Sequence, residues 1–246
     1  MAALLVLAAS AGKAPSSSAH ANTWQAFPRV TLWAWESPQD LRRISPERYA
    51  VAYLAQTIFI TDGVAGVPRK QPLLLPPGAR VTAVVRIEAP RSSARLDDPR
   101  LTATVADLIV EPLRRKQVSA LQIDFDATKS QWAFYRTLLK ETRRRMPVDM
   151  PLSITALASW CSQPSWMEGL PVDEAVPMLF RMGERARVKR SPGWSYQATE
   201  TSCQGSVGVS TDEPWPAIGQ KQRIYVFHPR AWNPVALENL EKLIQP

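Results

Sequence analysis

Strand and helix alternate through most of this 246-residue chain, and about eight stretches read as strands. Polar residues gather where those strands end. Together these observations predict an α/β protein folded as an eight-stranded TIM-type (β/α)8 barrel, irregular or incomplete where the helical connections are weak. The rival arrangement is an open, doubly wound sheet. No Gly-rich turn follows the first strand, so the sequence offers no nucleotide or other cofactor motif.

The stretch that organises the rest is Ala120-Leu121-Gln122-Ile123-Asp124-Phe125-Asp126-Ala127. Strand side chains alternate, so Gln122, Asp124 and Asp126 share one face and Leu121, Ile123 and Phe125 the other. Burying ionised carboxylates is costly unless they have partners or line a hydrated cleft. A cap of the following helix by Asp126 or Thr128 is the plainer reading for Asp126. It does not account for Asp124, which lies inside the apolar run.

Taken in order, residues 1–21 resemble a secretion signal, with an apolar run Ala2 to Ala9 and a small-x-small pattern at Ala19-His20-Ala21. A basic segment before the run is missing. The expectation is an exported protein, periplasmic or extracellular, with one barrel domain over residues 22–246. No stretch reaches the length needed to span a bilayer as a helix. The first strand is expected over Arg29 to Glu36. Ser37-Pro38, Ser45-Pro46, Asp98-Pro99 and Asn233-Pro234 each read as a helix start, with a capping residue followed by Pro at the first helical position. A second strand is expected within Ala50 to Ile60. Gly63 to Gly78 reads as an excursion with a hairpin through Leu73-Leu74-Leu75, and Val81 to Glu88 as a third strand. Leu101 to Lys116 has helical spacing interrupted by Pro112. After the central strand, Ser130 to Met146 is the clearest amphipathic helix, with Trp132, Tyr135, Leu138, Leu139 and Met146 on one face. Further strands are expected over Leu152 to Trp160, Val172 to Phe180, Val207 to Ser210 and Arg223 to His228. A closing helix follows over Pro234 to Ile244.

The net charge of +8 rests mainly on arginines clustered at predicted helix ends and in the loop Arg185 to Arg190. No helical stripe interleaves them with aromatics, so they read as solvated surface, and a nucleic-acid role is disfavoured. With only His20 and His228 present, a zinc site is not expected. His228 as the base of a Ser-His-Asp hydrolase lacks a G-x-S-x-G elbow. Cys161 and Cys203 are a candidate disulfide in an oxidising compartment, against the alternative of two buried thiols. One follows a strand and the other precedes one, so the loop 182–205 is expected to fold back over the barrel mouth to join them.

A barrel places functional groups at C-terminal strand ends. Glu36, Arg86, Glu88, Asp124, Asp126, Trp160, Arg181, Asp212, Glu213 and His228 stand there in this reading. Acids with Trp nearby suit a polysaccharide or glycan. Glycoside hydrolysis needs one carboxylic acid and a second carboxylate. Asp126 and Glu213 are the candidate pair, with Asp212 as the alternative partner and Asp124 tuning Asp126. Glu36, Arg86, Trp160, Arg181, Asp212 and His228 are candidate substrate-binding residues. Trp33 and Trp35 share a face opposite Glu36 and are expected to face either substrate or helices. A non-catalytic barrel that binds glycan or a protein partner at the cell envelope is the alternative.

The run Leu121 to Ala127 resembles a bacterial domain-of-unknown-function family, DUF3142, as do Leu152 to Leu157, Trp160-Cys161, Cys203, Gly208 to Pro214 and Tyr225 to Phe227. The resemblance runs from about Arg29 onward and implies an exported or lipid-anchored bacterial protein. More distantly, the fourth strand resembles that of family-18 glycoside hydrolases, chitin-active TIM barrels whose strand carries D-x-x-D-x-D-x-E. Aligned acid to acid, the family's Glu falls on Thr128. Shifted by two, Gln122, Asp124 and Asp126 fill the last three places. This likeness implies the location of the site.

Overall fold

A computed structural model of the chain describes residues 24–91, 96, 98–115, 117–162, 166–183 and 192–244. The predicted signal segment and the cluster Arg185 to Arg190 lie outside these residues. Eight parallel strands form the barrel: β1 (Val30–Ala34), β3 (Tyr49–Ile60), β6 (Val81–Glu88), β7 (Ala120–Asp124), β8 (Leu152–Leu157), β9 (Glu174–Met178), β10 (Ser206–Ser210) and β11 (Arg223–Phe227). They pair in that order, and β1 closes the ring by pairing with both β11 and β3. Among the described residues the barrel is therefore complete. Among the described residues there are three smaller strands. Strand β4 (Val64–Pro68) pairs antiparallel with the end of β3, while β2 (Gln39–Asp40) and β5 (Leu73–Leu74) pair with each other in parallel.

Among the described residues three full helices pack outside the barrel: α1 (Pro99–Val110), α2 (Trp132–Arg145) and α3 (Pro234–Ile244). Asp98 caps α1 by accepting the Arg100 N–H at 2.8 Å, and Asn233 caps α3 through the Ala236 N–H at 2.9 Å. The predicted break at Pro112 converts the end of α1 into a 3₁₀ turn over Glu111–Arg114, because Pro lacks the N–H that an α-helix needs there.

Two of the four Pro-marked helix starts form none. Gln39 and Asp40, after Ser37-Pro38, are drawn into β2, where Gln39 is buried and accepts the Trp232 N–H. Ser45-Pro46 makes only a turn closed by the Arg48 and Tyr49 N–H groups on Ser45 O. Only two residues separate Pro46 from β3, too few for a helix to form there. The hairpin also differs from expectation. It turns between Ile60 and Val64, and Leu73-Leu74 pairs with Gln39–Asp40 instead. The predicted end of the fifth strand is the helical turn Ala158–Cys161.

Strand parity divides the core. Leu121, Ile123, Leu152, Ile154, Val207, Val209, Ile224 and Val226 belong to the larger outer core beneath the helices. Trp33, Ala52, Val84, Val176 and Tyr225 fill the barrel interior. Ala52 lies beside Trp33 in the β1–β3 register, Gly208 leaves room for the Met178 side chain, and the Trp33 and Tyr225 ring centroids lie 5.9 Å apart. Trp24 and Phe27 close the N-terminal end of the barrel, packed with Ala50 and Ala120.

Cys161 and Cys203 form a disulfide with a Cα–Cα distance of 5.8 Å. Both are buried in the outer core. In the described part of the loop 182–205, the Gly193 N–H donates to Trp215 O and the Ala217 N–H to Trp194 O, both at 2.9 Å, so this part reaches the loop that follows β10. The segment before Cys203 runs beside the helical turn after β8, where Cys161 O accepts the Thr199 N–H at 2.8 Å.

Candidate functional site at the barrel mouth

The inward faces of β6, β7 and β8 carry polar residues in layers. In the lower layer Gln122 is fully buried. Its Nε2 donates to Ser153 Oγ at 3.0 Å, and its Oε1 accepts the Trp33 indole N–H at 3.2 Å. One layer up, Asp124 stands opposite Arg86 in the β6–β7 register. Asp124 Oδ2 accepts Arg86 Nη1 at 3.1 Å and Oδ1 accepts the Thr155 hydroxyl at 2.8 Å. The Asp124 side chain is 14% exposed and that of Arg86 35%. Arg86 also donates to Glu88 at 2.5 Å and lies over the Trp35 ring at 5.7 Å. Burial pushes the Asp124 carboxyl above its ordinary range; Arg86 and Thr155 pull it down, and Asp126 pushes it further up.

Asp126, the next residue on that face, is exposed and has no hydrogen bond or ion pair among the described residues. It lines a cleft of about 420 Å³ with Arg86, Glu88, Arg91, Asp124 and Thr128. The helix cap falls to Thr128, not Asp126. Thr128 and Gln131 form a capping box, with the Thr128 N–H donating to Gln131 Oε1 at 2.8 Å, while Gln131 Nε2 donates to Pro90 O at 2.9 Å. Thr128 thus serves the entry to α2. Gln122, Asp124 and Asp126 are the three positions that follow the strand's inward parity.

Beyond β9 and β10 a second group forms. The Arg181 N–H donates to both Glu213 carboxylate oxygens at 3.0 and 3.2 Å, with the Arg181 backbone left-handed at φ 51°. Its guanidinium lies 3.7 Å from Asp212 and 5.4 Å from the Phe227 ring centroid. Phe227 stacks on Phe180 at 5.4 Å. Asp212 accepts the Ser210 hydroxyl. His228 Nδ1 meets the Thr211 hydroxyl at 2.6 Å, and its ring packs on Trp232 at 5.0 Å. Burial, with Arg230 nearby, lowers the His228 pKa, and Asp212 opposes this.

The fold therefore places Arg86, Asp124 and Asp126 together. Asp212, Glu213, Arg181 and His228 gather at the ends of β9, β10 and β11, and two strands, β8 and β9, separate Glu213's strand from that of Asp126. Glu36 is exposed beyond the end of β1. Trp160 is not at the mouth. It is 6% exposed in the outer core, edge-on to Trp166 at 5.2 Å, because the turn after β8 rotates it away from the opening. Trp33 and Trp35 do not face helices either: Trp33 fills the barrel and Trp35 backs Arg86. Among the described residues no group of three His, Cys, Asp or Glu is arranged to hold a metal ion.

Glu174, at the start of β9, is not marked by a strand-end position. It is 2% exposed inside the barrel, where its carboxylate accepts Tyr225 OH at 2.8 Å, Ser153 Oγ at 3.2 Å and the Arg223 guanidinium. The available signal was its parity with Val176 and Met178, which turns it inward. Thr155, the second holder of Asp124, follows the same parity on β8.

No curated protein is significantly similar in sequence. Among solved structures, the chain is similar to a family GH18 chitinase from Chromobacterium violaceum. The identity is 8% and the TM-score 0.48, over 82% of this chain and 78% of that one. It is also similar to the chitinase domain of the spore coat protein CotE from Clostridium difficile. There the identity is 15% and the TM-score 0.45, over 89% of this chain and 62% of that one. Residues 77–180 match the family model described as Domain of unknown function (DUF3142), a span that contains Arg86, Asp124 and Asp126 and stops short of Glu213 and His228.

Proposed function

We propose that this barrel acts on a polysaccharide or glycan in the manner of a glycoside hydrolase, with Asp126 as the acid at the mouth. The observation that carries this reading is the pairing of unlike carboxylates on one strand. Asp124 is mostly buried and held by Arg86 and Thr155, while Asp126 stands beside it, open to the cleft. Two carboxylates in unlike environments are what acid catalysis at a glycosidic oxygen requires. Glu213 or Asp212, from the β10 side, is the partner carboxylate. Phe180 and Phe227, with Trp35 beyond them, offer rings against which a sugar can stack. Arg86, Arg181, Glu36 and His228 are the polar groups available for sugar hydroxyls. The Cys161–Cys203 bridge and the N-terminal segment support export to the periplasm or beyond. No described helix is long and apolar enough to cross a membrane.

A second reading, a glycan-binding barrel without turnover, is favoured by one observation. The position of the family-18 acid in the direct alignment is Thr128, which is committed to capping α2. Thermal-shift binding to a panel of bacterial polysaccharides, with wild type beside Asp126→Asn, separates the two. A shift that decays with time in the wild type and persists in the variant supports hydrolysis through Asp126. A stable shift in both supports the binding module, and no shift with any glycan overturns both.

A further inference from the structure

The chain between β3 and β6 forms no helix. The chain there passes through β4, β5 and a Pro-rich loop to Arg80. This leaves a cleft of about 930 Å³ against β3, larger than the cleft at the mouth. Leu73 to Pro77 and Val118 make one side of it apolar. Four arginines line it, Arg42, Arg69, Arg80 and Arg115, and among the described residues no Asp or Glu does.

These charges are not equally available. Arg42 forks onto Asp40 at 2.9 and 2.7 Å and is neutralised. Arg69 is held by backbone carbonyls alone: Ala34, Trp35, Ser37 and Gln71 accept from it. It has no bonded carboxylate, and Glu36 lies near enough to offset only part of its charge. Arg115 stands beside the hydroxyl of the buried Tyr53. Arg80 is exposed and makes no ion pair among the described residues. Three guanidinium groups on one concave surface create a positive field that concentrates anions. The planar fork of arginine matches the oxygens of a phosphate.

We propose that this flank cleft is a second binding site, for a phosphate monoester carried on an apolar body. The phosphate sits between Arg80 and Arg115 within the field of Arg69, and the apolar body lies along Leu73 to Pro77. The site is separate from the mouth and does not depend on the glycan reading.

Calorimetric titration of the full chain with hexyl phosphate tests it, with hexyl glucoside as the uncharged counterpart. The expected result is one site per chain, weakened by at least about tenfold in Arg80→Ala/Arg115→Ala, since charge-assisted hydrogen bonds are lost. Raising the salt concentration weakens binding to the wild type, and Asp126→Asn binds as the wild type does. Should the double variant fold poorly through its effect on Tyr53, Arg80→Ala alone, altered only at the surface, shows a severalfold loss. Absence of hexyl phosphate binding, equal binding by the arginine variants, or equal binding of hexyl glucoside each overturns the proposal.

Discussion

Glu174→Ala removes the acceptor at the centre of the barrel's polar interior. Glu174 is 2% exposed and the Arg223 side chain 17%, so their ion pair is nearly sealed from water. Breaking a buried pair from one side costs about 3–5 kcal/mol, because the remaining charge stays buried. The low end applies, since Arg223 keeps some exposure and lies over the Trp24 ring at 4.2 Å. The Tyr225 hydroxyl, fully enclosed, also loses its acceptor, adding about 1 kcal/mol. The total is about 4 kcal/mol. At about 2–4 °C per kcal/mol for a chain of this size, the thermal midpoint falls by about 8–16 °C. Glu174→Gln keeps an acceptor and loses the charge, and should fall between variant and wild type. Urea denaturation of the two single variants, Arg223→Ala and the Glu174→Ala/Arg223→Ala double variant gives the coupling directly, expected at about 2 kcal/mol or more. A loss under about 1 kcal/mol in Glu174→Ala, or additive single variants, would refute the claim that this pair is a buried unit.

Cys161→Ser/Cys203→Ser releases a loop spanning 42 residues and should lose about 4 kcal/mol by the chain-entropy relation; thiol counting on the wild type before and after reduction checks that the bond forms. The raised Asp124 pKa has a definite sign. Its stabilising contribution is full below the ordinary carboxylate pKa of about 4 and is lost as pH rises through the folded value. Asp124→Asn should therefore gain on the wild type from about pH 4 upward, and a stability difference independent of pH would contradict this. Thr128→Ala should cost about 1 kcal/mol through the lost cap and shift the midpoint by about 2–4 °C; no change on melting would mean that Gln131 alone holds the entry to α2.

Local patterns carried a large part of the fold. The β-branched run Val81 to Glu88 forms β6 with those limits, and Asp98-Pro99 and Asn233-Pro234 start helices. Period two placed Asp124 and Asp126 on the face opposite Leu121 and Ile123, which is how β7 presents them. These are properties of a chain with its nearest neighbours in sequence, set by backbone sterics, side-chain parity and caps. Signals of the same kind misled where space intervened, as at Ser37-Pro38, where buried pairing of Gln39 with Leu73 took the segment into a strand.

The tertiary structure decided which groups meet. That Arg86 answers Asp124 depends on β6 lying beside β7 in one register. That Glu174 meets Tyr225 and Arg223 depends on the ring closing through β10 and β11. The same is true of Trp160, a strand-end residue in the linear pattern that a single helical turn carries into the outer core. The sequence by itself determined the eight barrel strands to within a few residues, their apolar and polar faces, and the caps of α1 and α3, because each follows from interactions a few residues apart. The pairing of Arg86 with Asp124 and of Arg223 and Tyr225 with Glu174 joins residues 38 to 51 positions apart, which meet only once the barrel has closed.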